Sequence, residues 1–272
     1  MNTLKFLHLT DTHILQDYQK SEIKMLDRPH ENPTDQLVNV LKYANTIQPA
    51  LDFILISGDL VHEGGVEDYR YFKQLIEEHT TLPVYVALGN HDVTEAFWEG
   101  YANQVNCSEN LYYEKTFLGY RMIVLDSSHD KSGAGLIDHE QLNWLEEVLK
   151  TPAQKTTFIV VHHPLAVGEV DGIHSLGNSH ELMNVIKNTD VTAVLSGHTH
   201  QNKLTQFNDL LLSTAEGTSF GVELSDEMMH ITTKTGFNLC TLNENGMAIQ
   251  MMTIPIQQKK ISSIDLKSVI PS

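Results

Sequence analysis

The sequence predicts an α/β fold: two β-sheets packed face to face, with helices outside. Three observations carry the prediction. Apolar runs of strand length alternate with segments of helical spacing as far as His200. Beyond it the pattern changes to short β runs separated by turn residues. Five polar clusters also sit where apolar runs end, and open α/β sheets gather ligands outside the carboxyl ends of their strands.

Taken in order, Leu4 to Thr10 reads as a first strand. Pro33 to Gln48 carries Leu37, Val40, Leu41 and Ala44 at helical spacing, and Pro33 suits a first helical turn. Leu51 to Ile56 reads as a buried strand. Val66 to His79 places Tyr69, Phe72, Leu75 and Ile76 on one helical face, and Leu82 to Leu88 is a third strand. This alternation implies a parallel sheet. Residues 96–115 give no clear period. Tyr120 to Leu125 reads as a strand after a turn at Gly119. Asp138 to Lys150 and Asn178 to Lys187 read as helices, with Asp138/Gln141 and Asn178/Glu181 at capping-box spacing. Thr156 to Val161, Val191 to Leu195, Leu210 to Ser213, Phe237 to Leu242 and Met247 to Ile254 read as strands, the last two joined by a hairpin loop at Asn243 to Gly246. No linker divides the chain, so residues 1–256 are expected to form one domain and 257–272 a C-terminal extension.

The 272 residues carry 18 Lys and Arg against 35 Asp and Glu, a formal net charge of −17. That balance argues against a nucleic-acid polymer or an anionic membrane as partner. It leaves room for an anionic small molecule, because bound cations invert a local field. Cys107 and Cys240 form neither a disulfide framework nor a metal motif and are expected to be reduced thiols. There is no signal segment and no apolar run of membrane-spanning length, so a cytoplasmic location is expected.

The clusters are Asp11-Thr12-His13, Gly58-Asp59, Gly89-Asn90-His91-Asp92, His162-His163-Pro164 and Gly197-His198-Thr199-His200. Any one alone is a polar turn. Together they bring carboxylate, amide and imidazole donors to one edge of the fold, a mixture suited to Mn, Fe or Zn. Residues two apart on a strand face the same way. Asp11 with His13, and His198 with His200, are therefore expected to point together. Neighbouring residues alternate, so one ligand is expected from His162 and His163, and His162 is favoured. Two cations about 3.5–4 Å apart under a bridging carboxylate form a hydrolytic arrangement. On this reading Asp11, His13, His200 and the shared Asp59 hold one ion. Asp59, Asn90, His162 and His198 hold the other. A water bridging them would be acidified towards hydroxide and attack phosphorus in line. His91 is placed to act as general acid at the leaving-group oxygen.

In this order the motifs Asp-x-His, Gly-Asp, Gly-Asn-His-Asp, His-His and Gly-His-x-His resemble those of the calcineurin-like metallophosphoesterases, over roughly residues 4–215. Asp11-Thr12-His13, the single Asp59 and the His-His-Pro element look most like the bacterial class III cyclic-nucleotide phosphodiesterases. Glycerophosphodiesterases of the same branch are similar. The resemblance implies a four-layer αββα sandwich of metallo-dependent phosphatase type and two divalent transition-metal ions. It implies a small phosphodiester substrate, with 3′,5′-cyclic AMP foremost, and allows a homodimer. It carries over Asp11, His13, Asp59 and His200 as ligands of the first metal, and Asp59, Asn90, His162 and His198 as ligands of the second. His91 and the bridging Asp59 are the expected catalytic groups. Substrate contacts are expected of Asn90, His91 and His200, with Arg28 and His163 as further candidates. His30, His62 and the segments Met25 to Asn32 and Gly168 to His180 are open candidates for the pocket wall. A glycerophosphodiesterase, another nucleotide-conjugate diesterase and a phosphomonoesterase are the alternatives. A non-catalytic metal-binding scaffold fits poorly, because every ligand position is retained.

Overall fold

The first sheet sets three parallel strands, β1 (Leu4–Leu9), β2 (Phe53–Ser57) and β3 (Val84–Ala87), beside two antiparallel ones, β12 (Thr235–Asn243) and β13 (Gly246–Ile254). Its order is β13-β12-β1-β2-β3. The second sheet has the order β4 (Tyr113–Phe117), β5 (Tyr120–Val124), β6 (Thr157–Val160), β7 (Val191–Ser196), β9 (Leu210–Thr214), β8 (Lys203–Phe207). There β5, β6, β7 and β9 run parallel, and the edges β4 and β8 run antiparallel. A hairpin of β10 (Gly221–Ser225) and β11 (Met228–Thr232) stands apart from both sheets. This computed structural model describes residues 3–128, 133–166, 175–225 and 228–254. The expected extension 257–272 and residues 168–174 of the expected pocket loop lie outside the described residues.

Strand alternation sorts the apolar residues into three layers of core. On β1, Leu4 and Phe6 face the second sheet, while Leu7 and Leu9 face outward. On β6, Phe158 and Val160 face inward, and Ile159 packs outward. Phe6 stacks on Phe53 and Phe158 at 4.7 and 5.5 Å between ring centroids, which joins the two sheets directly. Helices α1 (Pro33–Ala44), α2 (Val66–His79) and α3 (Thr94–Gly100) cover the outer face of the first sheet. Helices α4 (His139–Leu149) and α5 (Ser179–Ile186) cover the second. The result is the expected αββα sandwich. Among the described residues no helix is long and apolar enough to cross a membrane.

The start of α1 follows the sequence: Asn32 accepts from the Asp35 N–H, and Pro33 occupies the first turn. Asp138 likewise accepts from the Gln141 N–H. The Gln141 side chain does not close a box; it accepts from the Asp126 N–H and donates to the Asp126 carbonyl. Asn178 makes no side-chain cap at all. Its amide pairs instead with both backbone groups of Ile137. The strands absent from the sequence reading are the hairpin pair β10 and β11 and the sheet edges β4 and β8. β4 reads Tyr-Glu-Lys-Thr-Phe and β8 Lys-Leu-Thr-Gln-Phe, both largely exposed. Edge strands carry charge and need no apolar alternation.

Candidate metal centre

The five clusters meet beyond the carboxyl ends of β1, β2, β3, β6 and β7, where the two sheets adjoin. The reason given above for their pairing does not hold. β1 ends at Leu9 and β7 at Ser196, before Asp11-x-His13 and His198-x-His200 begin. What aims these residues is left-handed backbone. Asp11, His13, Asp59, His198 and His200 have φ of 53°, 45°, 50°, 71° and 52°. Such values are costly for side chains with a Cβ and persist only where the surroundings enforce them. Here the enforcement is a continued parallel ladder: the N–H groups of Asp11, His13 and Ile14 donate to the carbonyls of Gly58, Asp59 and Leu60 at 2.9–3.0 Å. Gly58 itself has φ of 106°, and a side chain there would run into the His162 ring.

Asp11 and Asp59 each present one oxygen inward and have the other tied back. Asp11 Oδ2 accepts from the Thr10 hydroxyl and the His198 N–H, at 2.7 and 3.0 Å. That leaves Oδ1 3.2 Å from His200 Nε2 and 3.9 Å from His13 Nε2. Asp59 Oδ1 accepts from the His91 N–H at 2.9 Å, and Oδ2 lies 3.7 Å from His13 Nε2 and 3.3 Å from His162 Nε2. Donor atoms of His162, His163 and His198 form a further group within 4.8 Å of one another. His163 thus stands beside His162. β6 ends at Val160, so strand alternation no longer separates them.

The imidazoles are oriented by groups behind them. His162 Nδ1 meets the Ser57 carbonyl at 2.9 Å, and His200 Nδ1 meets the Phe220 carbonyl at 2.7 Å. His13 Nδ1 meets His62 Nδ1 at 3.0 Å, and His163 Nδ1 the Ser127 hydroxyl at 2.8 Å. Metal-bound histidines show this pattern: one nitrogen inward, the other hydrogen-bonded outward. The buried atoms Asn90 Oδ1 and His163 Nε2 find no hydrogen-bond partner among the described residues. Buried polar atoms are rarely left so. A mixed oxygen and nitrogen donor set with orphaned atoms facing inward fits divalent cations.

The electrostatics agree. Burial alone would lower His162, but the Asp59 carboxylate beside it raises it to about 9. Burial also opposes a charged His200, which Asp11 nonetheless raises. Desolvation works against ionised Asp11 and Asp59, yet His200 and His162 hold both below the usual carboxylate range. Burial, followed by His162, pushes His198 down to about 4. His162 and His200 thus favour a proton against the two carboxylates, while burial keeps His13, His163 and His198 neutral; a bound cation would displace those protons.

His91 is 32% exposed and so reachable from outside. Its Nδ1 lies 3.3 Å from Glu63 Oε1, and its ring stacks on His62 at 4.5 Å. Asp92 faces away from this group. It accepts from the N–H groups of Leu60, Val61 and Gly89 and from the Tyr69 hydroxyl. It thereby ties the loop after β2 to the loop after β3. Sequence reasoning missed Glu63, Ser57, Phe220 and the role of Asp92. No pattern marks such partners, because a backbone carbonyl or a loop carboxylate looks the same in any role.

The other candidates fall outside this group. Arg28 pairs with Glu31 at 3.9 Å. Arg121 is buried against Asp190, and Arg70 pairs with Glu67 and Glu99. These are the three arginines of the chain. Each is engaged by at least one carboxylate, and Arg28 Nε is buried with no hydrogen-bond partner among the described residues. Met25 is largely exposed, and His30 sits in a turn with φ of 63°. His62, left open by the sequence, is the partner behind His13.

Residues 4–202 match the family model described as Calcineurin-like phosphoesterase. The 3′,5′-cyclic adenosine monophosphate phosphodiesterase CpdA of Haemophilus influenzae is 30% identical over 210 residues, 75% of this chain and 73% of its own length. A probable glycerophosphodiester phosphodiesterase GpdQ of Arcobacter nitrofigilis is 28% identical, across 69% of this chain and 71% of its own. The crystal structure of a dimetal phosphatase from Danio rerio has the same fold, with a TM-score of 0.62 at 15% identity over 93% of this chain and 99% of its own. Motif order, four-layer sandwich and a match over most of the length converge, and the chain belongs to the calcineurin-like phosphoesterase family.

Proposed function

We propose that this chain is a binuclear metal-dependent phosphodiesterase acting on small phosphodiesters, 3′,5′-cyclic AMP foremost. The observation that carries the reading is Asp59. One oxygen of this carboxylate lies 3.7 Å from His13 Nε2 and 3.3 Å from His162 Nε2, so it faces both imidazole groups. That supports two adjoining sites sharing Asp59. Asp11, His13 and His200 complete the first, and Asn90, His162 and His198 the second. Divalent cations held by these residues, Mn, Fe or Zn by donor type, would supply charge to offset the phosphate and would make a bound water more acidic.

The chain's own groups do the rest. Asp11 and Asp59 keep their charge inward because backbone and hydroxyl donors hold their second oxygens. His91, turned by Glu63, gives a proton to the departing alkoxide oxygen. Asn90 and His200 border the phosphate. With all three arginines facing carboxylates of their own, charge neutralisation would fall to the cations and to His91. The relatives named for cyclic nucleotides support that substrate class. The relative named GpdQ supports glycerophosphodiesters as the second reading.

The test is hydrolysis by manganese-reconstituted protein of cyclic AMP, bis-p-nitrophenyl phosphate and p-nitrophenyl phosphate. Chelator-sensitive turnover of the first two is expected. Diester turnover that spares cyclic AMP would move the assignment to the second reading. No turnover with both metals bound would leave a scaffold.

A further inference from the structure

A cavity of about 180 Å³ lies under the β10–β11 hairpin, and His198 and Thr199 line it. Its floor is the outer face of the second sheet, where β7, β9 and β8 run side by side. Two cross-strand rows form that floor. Val194, Leu212 and Thr205 are register partners in one, and Ser196, Thr214 and Lys203 in the next. Because β7 runs from Val194 through Ser196 towards His198, the polar row lies nearer the candidate centre. Leu165 closes one side, and Leu224 and Met229 of the hairpin the other. The Gln201 amide donates to the Val222 carbonyl at 3.0 Å, tying the hairpin to the loop that carries His198 and His200. The cavity is thus apolar at its far end and polar where it meets the centre.

We infer that this cavity receives the heterocyclic ring carried by a phosphodiester substrate, a nucleobase. The inference rests on the phosphodiesterase reading above. Volume limits the occupant: a cavity of about 150 Å³ accommodates benzene, so this one suits a single flat ring system. Chemistry orients it. The base lies against Val194, Leu212 and Leu224, the sugar crosses the Ser196–Thr214–Lys203 row, and the phosphate reaches Asp59 and His91. Leu224 and Met229 remain 54% and 59% exposed, apolar surface presented to whatever enters. The cleft beside His62 offers no comparable wall, being lined by Asp17, Glu22, Glu63, Glu67 and Asp68. A diester without a ring gains nothing from the cavity.

The experiment compares the wild type with Leu224→Asp and Thr205→Trp, the first adding a charge to the wall and the second filling the floor. Neither position is buried, so both variants should fold. With manganese-loaded protein, kcat/KM is measured for cyclic AMP and for glycerophosphoethanolamine, a diester with no ring. The ratio of the two should fall about tenfold or more, mainly through the cyclic nucleotide KM, the size expected for a lost apolar pocket contact. Adenosine binding to zinc-loaded protein, read by saturation-transfer NMR, should weaken in step. Where diesters turn over, the ratio decides: if it ignores both variants, the cavity assignment is overturned and the phosphodiesterase reading stands. Where neither diester turns over, that reading fails and adenosine decides. Binding that both variants weaken would uphold the cavity, and absent or insensitive binding would overturn it.

Discussion

The two sheets bring different atoms to their junction. The first presents the oxygens of Asp11, Asp59 and Asn90 with one imidazole, His13. The second presents imidazoles alone, from His162, His163, His198 and His200. Each holds the other's donors in place. The His198 N–H from the second sheet fixes Asp11, and the Ser57 carbonyl from the first fixes His162. Carboxylates crowded into one sheet repel, and imidazoles buried in the other lose their protons. Set face to face, they neutralise one another and leave donor atoms inward. Both groups that contain a carboxylate span the junction, while His162, His163 and His198 gather from the second sheet alone.

That division can be broken at its shared point. Asp59→Ala should have the largest effect, lowering bound metal from two ions to less than one per chain. Its activity should fall beyond the ~10–100-fold typical of an outer partner. His162→Ala should cost only the second ion; a loss of both would show that the two metal sites are not separable. Metal analysis by plasma mass spectrometry reads both variants. His91→Ala should reduce turnover by roughly 10²–10⁴-fold with metal content unchanged. Full activity in that variant would remove the assigned proton donor. Asp92→Ala should act on stability, because it removes the acceptor of three N–H groups and of the Tyr69 hydroxyl. A loss on the order of 3 kcal/mol is expected, read by denaturant unfolding. Arg28→Ala should alter kcat/KM less than about twofold, since its exposed pairing with Glu31 is worth little. A tenfold fall in kcat/KM would return Arg28 to the substrate.

The comparison also explains what could be read in advance. Central strands are apolar on both faces, so β1, β2, β6 and β7 announce themselves as runs. The edges β4 and β8 carry Glu, Lys and Gln and do not. The clusters that meet at the junction were legible because five of them, each alone a polar turn, follow apolar runs in series. Their aim was not. It depends on left-handed backbone at Asp11, His13 and Asp59, enforced by hydrogen bonds between loops some 47 residues apart in sequence. Asn178 shows the same limit. Its spacing to Glu181 fits a cap, but a neighbouring chain segment offers Ile137 first.

The outward hydrogen bonds of the imidazoles also bear on how the protein fills. His162 and His200 are pinned by carbonyls, so a cation held between them and the carboxylates would meet imidazoles already turned inward. The Asp59 carboxylate that raises His162 also favours a proton on it, so a cation bound there would have to displace that proton. Uptake is then an exchange of one cation for another. Apparent metal affinity should therefore rise with pH and fall on acidification, which metal analysis after dialysis at a series of pH values checks.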